Sequence, residues 1–82
     1  MTTTLTIERY ALTDAARDNY EEAKKEGHAQ AAKAWRLCLG HLHAAAAIGD
    51  PRTPSKITAL KRATASAATY ARRAVDAASR GL

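Results

Sequence analysis

Cys38 and His41 are the residues whose types and spacing come nearest to a catalytic pair. A thiol can act as a nucleophile when a histidine three residues away on a helix accepts its proton. However, the sequence offers no third group to orient the histidine and no oxyanion loop, and a helix interior suits a nucleophile badly. We therefore predict that the chain is not an enzyme and that it has no catalytic residues.

The same two residues could also contact one metal ion, with His28 and His43 as further nitrogen ligands. Zinc requires four protein ligands, or three and a water molecule, and the usual paired-ligand spacing is absent here. At 100° per residue, His43 points about 200° away from His41 on a helix. We predict no metal site and no bound cofactor, with Cys38 as a buried thiol beside boundary histidines.

A separate group of residues could bind anions, because the positive charge of the chain is concentrated towards its end. Residues 1–50 carry a net charge of −1 and residues 51–82 a net charge of +6, in agreement with +5 for the whole chain. On a helical wheel, five basic side chains of the last segment fall within an arc of about 120°. We call them the basic ridge, which consists of Lys61, Arg62, Arg72, Arg73 and Arg80.

Three interpretations of the basic ridge stay open on the sequence. It can bind an acidic protein surface, it can bind the phosphates of a nucleic acid, or it can be the solvated face of an amphipathic helix. In the last case Asp76 would pair with Arg72 and Arg80, four residues away on either side. The lack of interleaved aromatic residues and the position of Asp76 inside the arc count against nucleic acid.

The elements that position these residues are predicted to be helices. Alanine occupies 21 of the 82 positions, whereas Leu, Ile and Val together occupy 11 and phenylalanine is absent. Alanine is the best helix former, and four glycines and two prolines are too few for an all-β chain. The sequence predicts an all-α fold, a small three-helix bundle that forms a single domain over residues 1–82 with thin, alanine-rich interfaces.

Capping residues set the predicted start of the helical part. We expect an extended or irregular segment over residues 1–12, within which residues 2–7 alternate weakly as a short strand would. Thr13 or Asp14 then offers an oxygen atom that can cap a helix. The predicted helices cover about residues 14–26, 29–48 and 54–80.

Gly27 leaves two topologies open. It can turn the chain between the first two helices and so give a helical hairpin followed by a basic C-terminal helix, or it can lie inside one long helix. We favour the hairpin, because charge density falls abruptly after Gly27 and periodic helices longer than about 25 residues are uncommon. Residues 49–54 end the second helix with a glycine and two prolines, and Thr53 or Ser55 is expected to cap the third.

The apolar faces of the last two helices indicate where a core can form. Trp35 is the largest side chain of the least charged segment, so we expect it to be largely buried; an exposed Trp35 would be the best candidate anchor for partner binding. In the third helix, small and aliphatic residues recur at three- and four-residue spacing. This predicted stripe consists of Ile57, Leu60, Thr64, Ala67, Ala71, Ala74, Val75 and Ala78.

The sequence also favours one cellular location. No uncharged apolar run approaches the roughly 20 residues of a membrane span. The N-terminus lacks the basic and apolar regions of a secretion signal. One cysteine cannot form an internal disulfide bond. We expect a cytoplasmic protein without membrane contact, a class that includes small proteins of phages and plasmids.

Together these patterns favour a non-catalytic helical interaction module. We expect it to bind a protein partner, one with an acidic surface, through helical faces, as an adaptor or inhibitor does. Self-association is expected as well, because a chain of this size buries only about 60% of its unfolded surface and alanine adds little to the core. The alternative is a small nucleic-acid-binding protein that uses the basic face of the C-terminal helix.

Overall fold

The computed structural model describes the backbone of residues 2–49 and 51–82, and the side chains of residues 13–49 and 51–82. Three α-helices make up this part of the chain: α1 (Thr2–Lys25), α2 (Ala29–Ile48) and α3 (Pro54–Ser79). The protein measures 42 × 19 × 16 Å, close to the roughly 39 Å expected for the 26 residues of α3. The fold is therefore a small all-α three-helix bundle, as the sequence predicts.

The first helix begins earlier than the sequence predicts. α1 starts at Thr2, so the expected extended or irregular segment is wrong for residues 2–12, and residues 2–7 are helical. Met1 lies outside the described residues. An isolated strand here would have no neighbouring strand among the described residues to pair with, whereas each residue added to a formed helix gains a backbone hydrogen bond. Thr13 and Asp14 accordingly lie inside α1 and do not cap its start.

The hairpin at Gly27 is confirmed. Gly27 has a φ angle of 78°, and the N–H of His28 donates to the carbonyl oxygen of Ala23 at 2.9 Å. This bond spans five residues across a glycine in the left-handed conformation, which defines a Schellman turn. Glycine adopts this conformation without the steric cost that a side chain adds. The turn ends α1 and directs α2 back along it.

The second boundary follows the predicted chemistry. Gly49 has a φ angle of 69° and follows the last residue of α2. At the start of α3, the Thr53 hydroxyl oxygen accepts a hydrogen bond from the N–H of Lys56 at 3.3 Å, and Pro54 occupies the first helical position. Asp50 lies outside the described residues. Thr53 is therefore the cap, which resolves the choice between Thr53 and Ser55.

The core is made almost entirely of alanine. Its buried side chains form two groups along the bundle. One group contains Ala16, Cys38, Leu42 and Ala67, and the other contains Ala23, Ala31 and Ala32. Ala45 and Ala74 are fully buried as well. Small side chains let the helices approach closely, but each removes little apolar surface from water.

The three helices are not packed equally. α2 packs along both α1 and α3, whereas the described residues of α1 and α3 barely touch each other. α2 therefore forms the back of the bundle, and a groove stays open between α1 and α3. Trp35, which packs against both core groups, is only partly buried. The expectation of a largely buried Trp35 is wrong in degree, because none of the described helices closes the groove over it.

The apolar stripe of α3 is covered on one side only. Ala67 and Ala74 are buried, and Leu60 and Ala71 are partly buried. The other four members of the predicted stripe are exposed, namely Ile57, Thr64, Val75 and Ala78. The stripe is therefore shifted towards Ala63, Tyr70 and Ala77, which are partly buried. The shift arises because α2 packs against the side of α3 that carries Tyr70 and Ala77. α1 does not cover the opposite side of the stripe, which carries Ile57 and Val75.

Candidate partner-binding surfaces

The basic ridge lies on the outer surface of α3. All five of its side chains are exposed: Lys61, Arg62, Arg72, Arg73 and Arg80. This exposure follows from the wheel, since the ridge is on the side of the helix away from Ala67 and Ala74. The sequence prediction that these residues share one accessible face is consistent with this placement.

Little of the ridge charge is neutralised by the described residues of the chain. Arg80 pairs with Asp76, with 3.5 Å between Nη2 and Oδ2. Asp76 forms no ion pair with Arg72 in the described part of the chain, so only one of the two expected pairs is present. Lys61, Arg62 and Arg72 have no carboxylate partner among residues 13–49 and 51–82. Three exposed cations are thus available to bind an anionic surface.

One cation of the ridge contacts an aromatic ring, which was not predicted from the sequence. The guanidinium carbon of Arg73 lies 5.4 Å from the ring centroid of Tyr70. The Tyr70 ring also stacks on the His41 ring, with 5.4 Å between centroids and 8° between planes. Tyr70 precedes Arg73 by three residues, a spacing that places two side chains side by side on a helix. The three-residue spacing was therefore the signal in the sequence for this contact. The contact connects Arg73 of the ridge to the interface between α2 and α3.

The groove between α1 and α3 is a second candidate surface. It is an open cavity of about 320 Å³, and Trp35 and His28 of the hairpin line it between the two helices. Asn19, Glu22 and Glu26 form the α1 wall of the groove, and Val75 and Ala78 form the α3 wall. An aromatic floor between an acidic wall and an apolar wall suits a helix that is apolar on one side and basic beside it.

Among the described residues, the carboxylates of the groove wall form one contact with a basic group, and it is weak. Glu26 Oε2 lies 3.5 Å from Nδ1 of His28, which forms an ion pair only when the histidine is protonated. Glu22 has no basic partner in the part of the chain that the structure describes. The groove was not predicted from the sequence, because its existence depends on how far α1 lies from α3. The only sequence signal was an apolar stripe on α3 wider than one neighbouring helix can cover.

Cys38 and His41 are placed differently from a catalytic pair. Cys38 is buried with Ala16, Leu42 and Ala67, and burial raises the pKa of its thiol because the thiolate would lose solvation. A higher pKa lowers the fraction of nucleophilic thiolate at neutral pH. His41 stacks on Tyr70 instead. The described residues bring together no group of three or more metal-ligating side chains, and the absence of an active site stays a prediction.

Comparisons with known proteins do not assign the chain to a family. Neither a protein-family model, nor a curated protein, nor a solved structure matches it. Among the described helices, none combines the length and the apolar character that crossing a membrane requires. The molecule is thus defined by its own features, as an all-α three-helix bundle with an exposed basic face and an open groove.

Proposed function

We propose that the chain is a non-catalytic interaction module, of the adaptor or inhibitor type, that binds an acidic surface of a protein partner through the basic ridge. The observation that carries this proposal is the exposure of Lys61, Arg62 and Arg72 without carboxylate partners among the described residues. Unpaired cations on a rigid helix attract an acidic surface over a distance and hasten association. Self-association forms part of the same proposal.

Nucleic acid is the second candidate, and the Tyr70 contacts bear on it. Proteins that bind single strands usually stack bases on exposed aromatic rings beside basic residues. Tyr70 lies against Arg73 of the ridge, but its ring is already contacted by His41 and Arg73. The ridge would then contribute phosphate contacts alone, which give affinity without sequence preference. We therefore favour an acidic protein surface as the partner.

Fluorescence anisotropy with three labelled probes tests the proposal. The probes are a polyglutamate peptide, a mixed-sequence DNA duplex and an RNA hairpin, each titrated with the full chain at several salt concentrations. We expect the peptide to bind and its affinity to fall with salt. The double variant Arg62→Ala/Arg73→Ala should weaken this binding about tenfold. The matched control Lys25→Ala/Arg36→Ala removes the same charge from α1 and α2 and should leave the affinity nearly unchanged.

The other results separate the candidates. Tighter binding of the DNA or RNA probe than of the peptide, lost in Arg62→Ala/Arg73→Ala and kept in the control, would favour the nucleic-acid function. Equal loss in both double variants would show that only net charge matters, and this would overturn a role for the ridge. Failure to bind any of the three probes would overturn both functions.

A further inference from the structure

α3 presents an exposed apolar strip beside the groove. Ile57 and Val75 are 40% and 60% exposed, and they lie eighteen residues apart, which is five helical turns and about 27 Å. Thr64 and Ala68 lie between them on the same side of the helix and are also exposed. We call these four residues the α3 strip. Such a strip on a small helical protein is typical of an interface.

The charges beside the strip match the charges of the groove. Arg72 borders the strip, about 60° around the helix from Val75, and has no carboxylate partner among the described residues. The α1 wall of the groove carries Glu22 and Glu26, both exposed. The strip thus needs a partner that is apolar with acidic residues on one side. The groove needs a partner that is apolar with basic residues on one side.

One and the same chain meets both requirements. We propose that the groove between α1 and α3 binds the Val75 end of the α3 strip of a second copy, in a two-fold symmetric dimer with the two α3 helices antiparallel. The inference rests on the self-association part of the proposed function and names its surface. Each copy would place its Val75 over the Trp35 of the other, so the two α3 helices overlap at their C-terminal ends and Ile57 lies outside the interface. A two-fold interface uses the same patch on both subunits, as this one does.

The positions around α3 are consistent with this arrangement. α2 covers the side of α3 at Ala67 and Ala74, and the strip at Val75 faces about 100° away from Ala74. If the second α3 contacts the strip, the α1 of the second copy lies beyond it, on the side of Arg72. Arg72 then faces Glu22 and Glu26 of that α1. The dimer completes a core that three alanine-rich helices leave open on one side.

Sedimentation and fluorescence test the proposal together. The chain has one tryptophan, so acrylamide quenching of Trp35 reports directly on the groove. As concentration rises from low to high micromolar, we expect the mass to rise from 8.8 kDa to twice that value, and the quenching of Trp35 to fall in parallel. Val75→Asp should raise the dissociation constant about a hundredfold, because it buries an unpaired charge.

The control and the charge reversal make the test specific. Leu37 is also an exposed aliphatic residue, but it lies in the crevice between α2 and α3 on another side of the bundle. Leu37→Asp should therefore leave dimerisation unchanged, with helical content checked by circular dichroism for both variants. Arg72→Glu should weaken the dimer about tenfold, and adding Glu22→Lys and Glu26→Lys should restore it. A purely structural role of Arg72 would give no such rescue.

Two outcomes would overturn the proposal in different ways. If the chain dimerises but Val75→Asp leaves the dimer intact, self-association stands and the groove is not its interface. If the chain stays at 8.8 kDa at high micromolar concentration and Trp35 quenching is constant, both fail. After this second result, the groove would either bind a helix of another protein or have no binding role. The binding of the acidic probe to the ridge would be unaffected.

Discussion

The backbone N–H of Gln30 donates a hydrogen bond of 2.7 Å to the backbone oxygen of Leu82. The N–H of Ala31 donates to the same oxygen at 3.3 Å. His28, at the start of α2, provides no side-chain cap, so these two bonds satisfy N–H groups that a helix start leaves unpaired. Leu82, three residues after the end of α3, thus caps α2 and joins the start of α2 to the end of α3.

The cap at Leu82 depends on the turn at Gly81. Gly81 has a φ angle of 75°, and across it the N–H of Leu82 donates to the oxygen of Ala77 at 2.9 Å. Gly81→Ala should lower the free energy of unfolding by about 1–2 kcal/mol, since a side chain in this conformation is strained. Urea denaturation measures the change. An unchanged value would show that the turn adapts without loss of the cap.

The same substitution at Gly40 should have the opposite sign, and it serves as the control. Gly40 lies inside α2, and a β-carbon added there would meet no atom within 4 Å. Gly40→Ala should therefore raise the free energy of unfolding by about 0.5–1 kcal/mol, because alanine loses less backbone entropy. A destabilised Gly40→Ala would instead indicate that another molecule approaches this position closely.

The helix ends could be predicted from the sequence because they depend on local chemistry. Gly27 and Gly49 supply positive φ angles, and Thr53 with Pro54 starts α3. These features act within a few residues, so composition and spacing are sufficient to place them. The prediction failed for residues 2–12, where four threonines suggested an extended chain and the structure has a helix. Helix propagation overrides such weak local preferences.

The site was predictable only where it follows from one helix alone. The wheel of α3 placed the basic ridge on one face, which needs no knowledge of the neighbouring helices. The exposure of Val75 and the partial burial of Trp35 depend on the distance between α1 and α3. The apolar periodicity of a single helix does not predict that distance. Glu22 is a candidate partner-binding residue only because its side of α1 faces the groove.

Truncation of Trp35 should cost less than full burial would imply. Full truncation of a buried aromatic residue costs about 3–5 kcal/mol, but Trp35 is only partly buried. Trp35→Ala should lower the free energy of unfolding by about 2–3 kcal/mol at concentrations where the chain is monomeric. Trp35→Phe, which keeps contacts with the core groups, should lose less than half as much. A loss above the upper limit would show that the groove is closed in solution.

The thiol of Cys38 should make stability depend on alkaline pH. Burial raises the pKa of this group above its ordinary value of 9.0, so the folded chain keeps the proton where the unfolded chain releases it. The free energy of unfolding should therefore fall as the pH rises above 9.0 and level off beyond the folded pKa. Cys38→Ala should lack this part of the decrease. Parallel pH profiles of the two proteins would contradict a buried thiol.

Two arginines of the ridge, Arg62 and Arg73, should differ in what they contribute to stability. Arg62 has no ion-pair partner among the described residues, and exposed charges of this kind contribute about 0–1 kcal/mol. Arg73 lies against the Tyr70 ring, a contact worth about 0.5–1 kcal/mol at an exposed site. Thermal melting should thus be unchanged in Arg62→Ala and slightly lower in Arg73→Ala.

A double-mutant cycle isolates the arginine–tyrosine contact. In a Tyr70→Leu background, Arg73→Ala should have no further effect on the free energy of unfolding, because its partner ring is gone. Arg62→Ala should behave the same in both backgrounds. A cost above about 2 kcal/mol for Arg62→Ala would contradict its exposure. It would mean that Arg62 pairs with acidic residues such as Asp18 or Glu22, within the bundle or across a dimer, and that the charge asymmetry of the chain stabilises its fold.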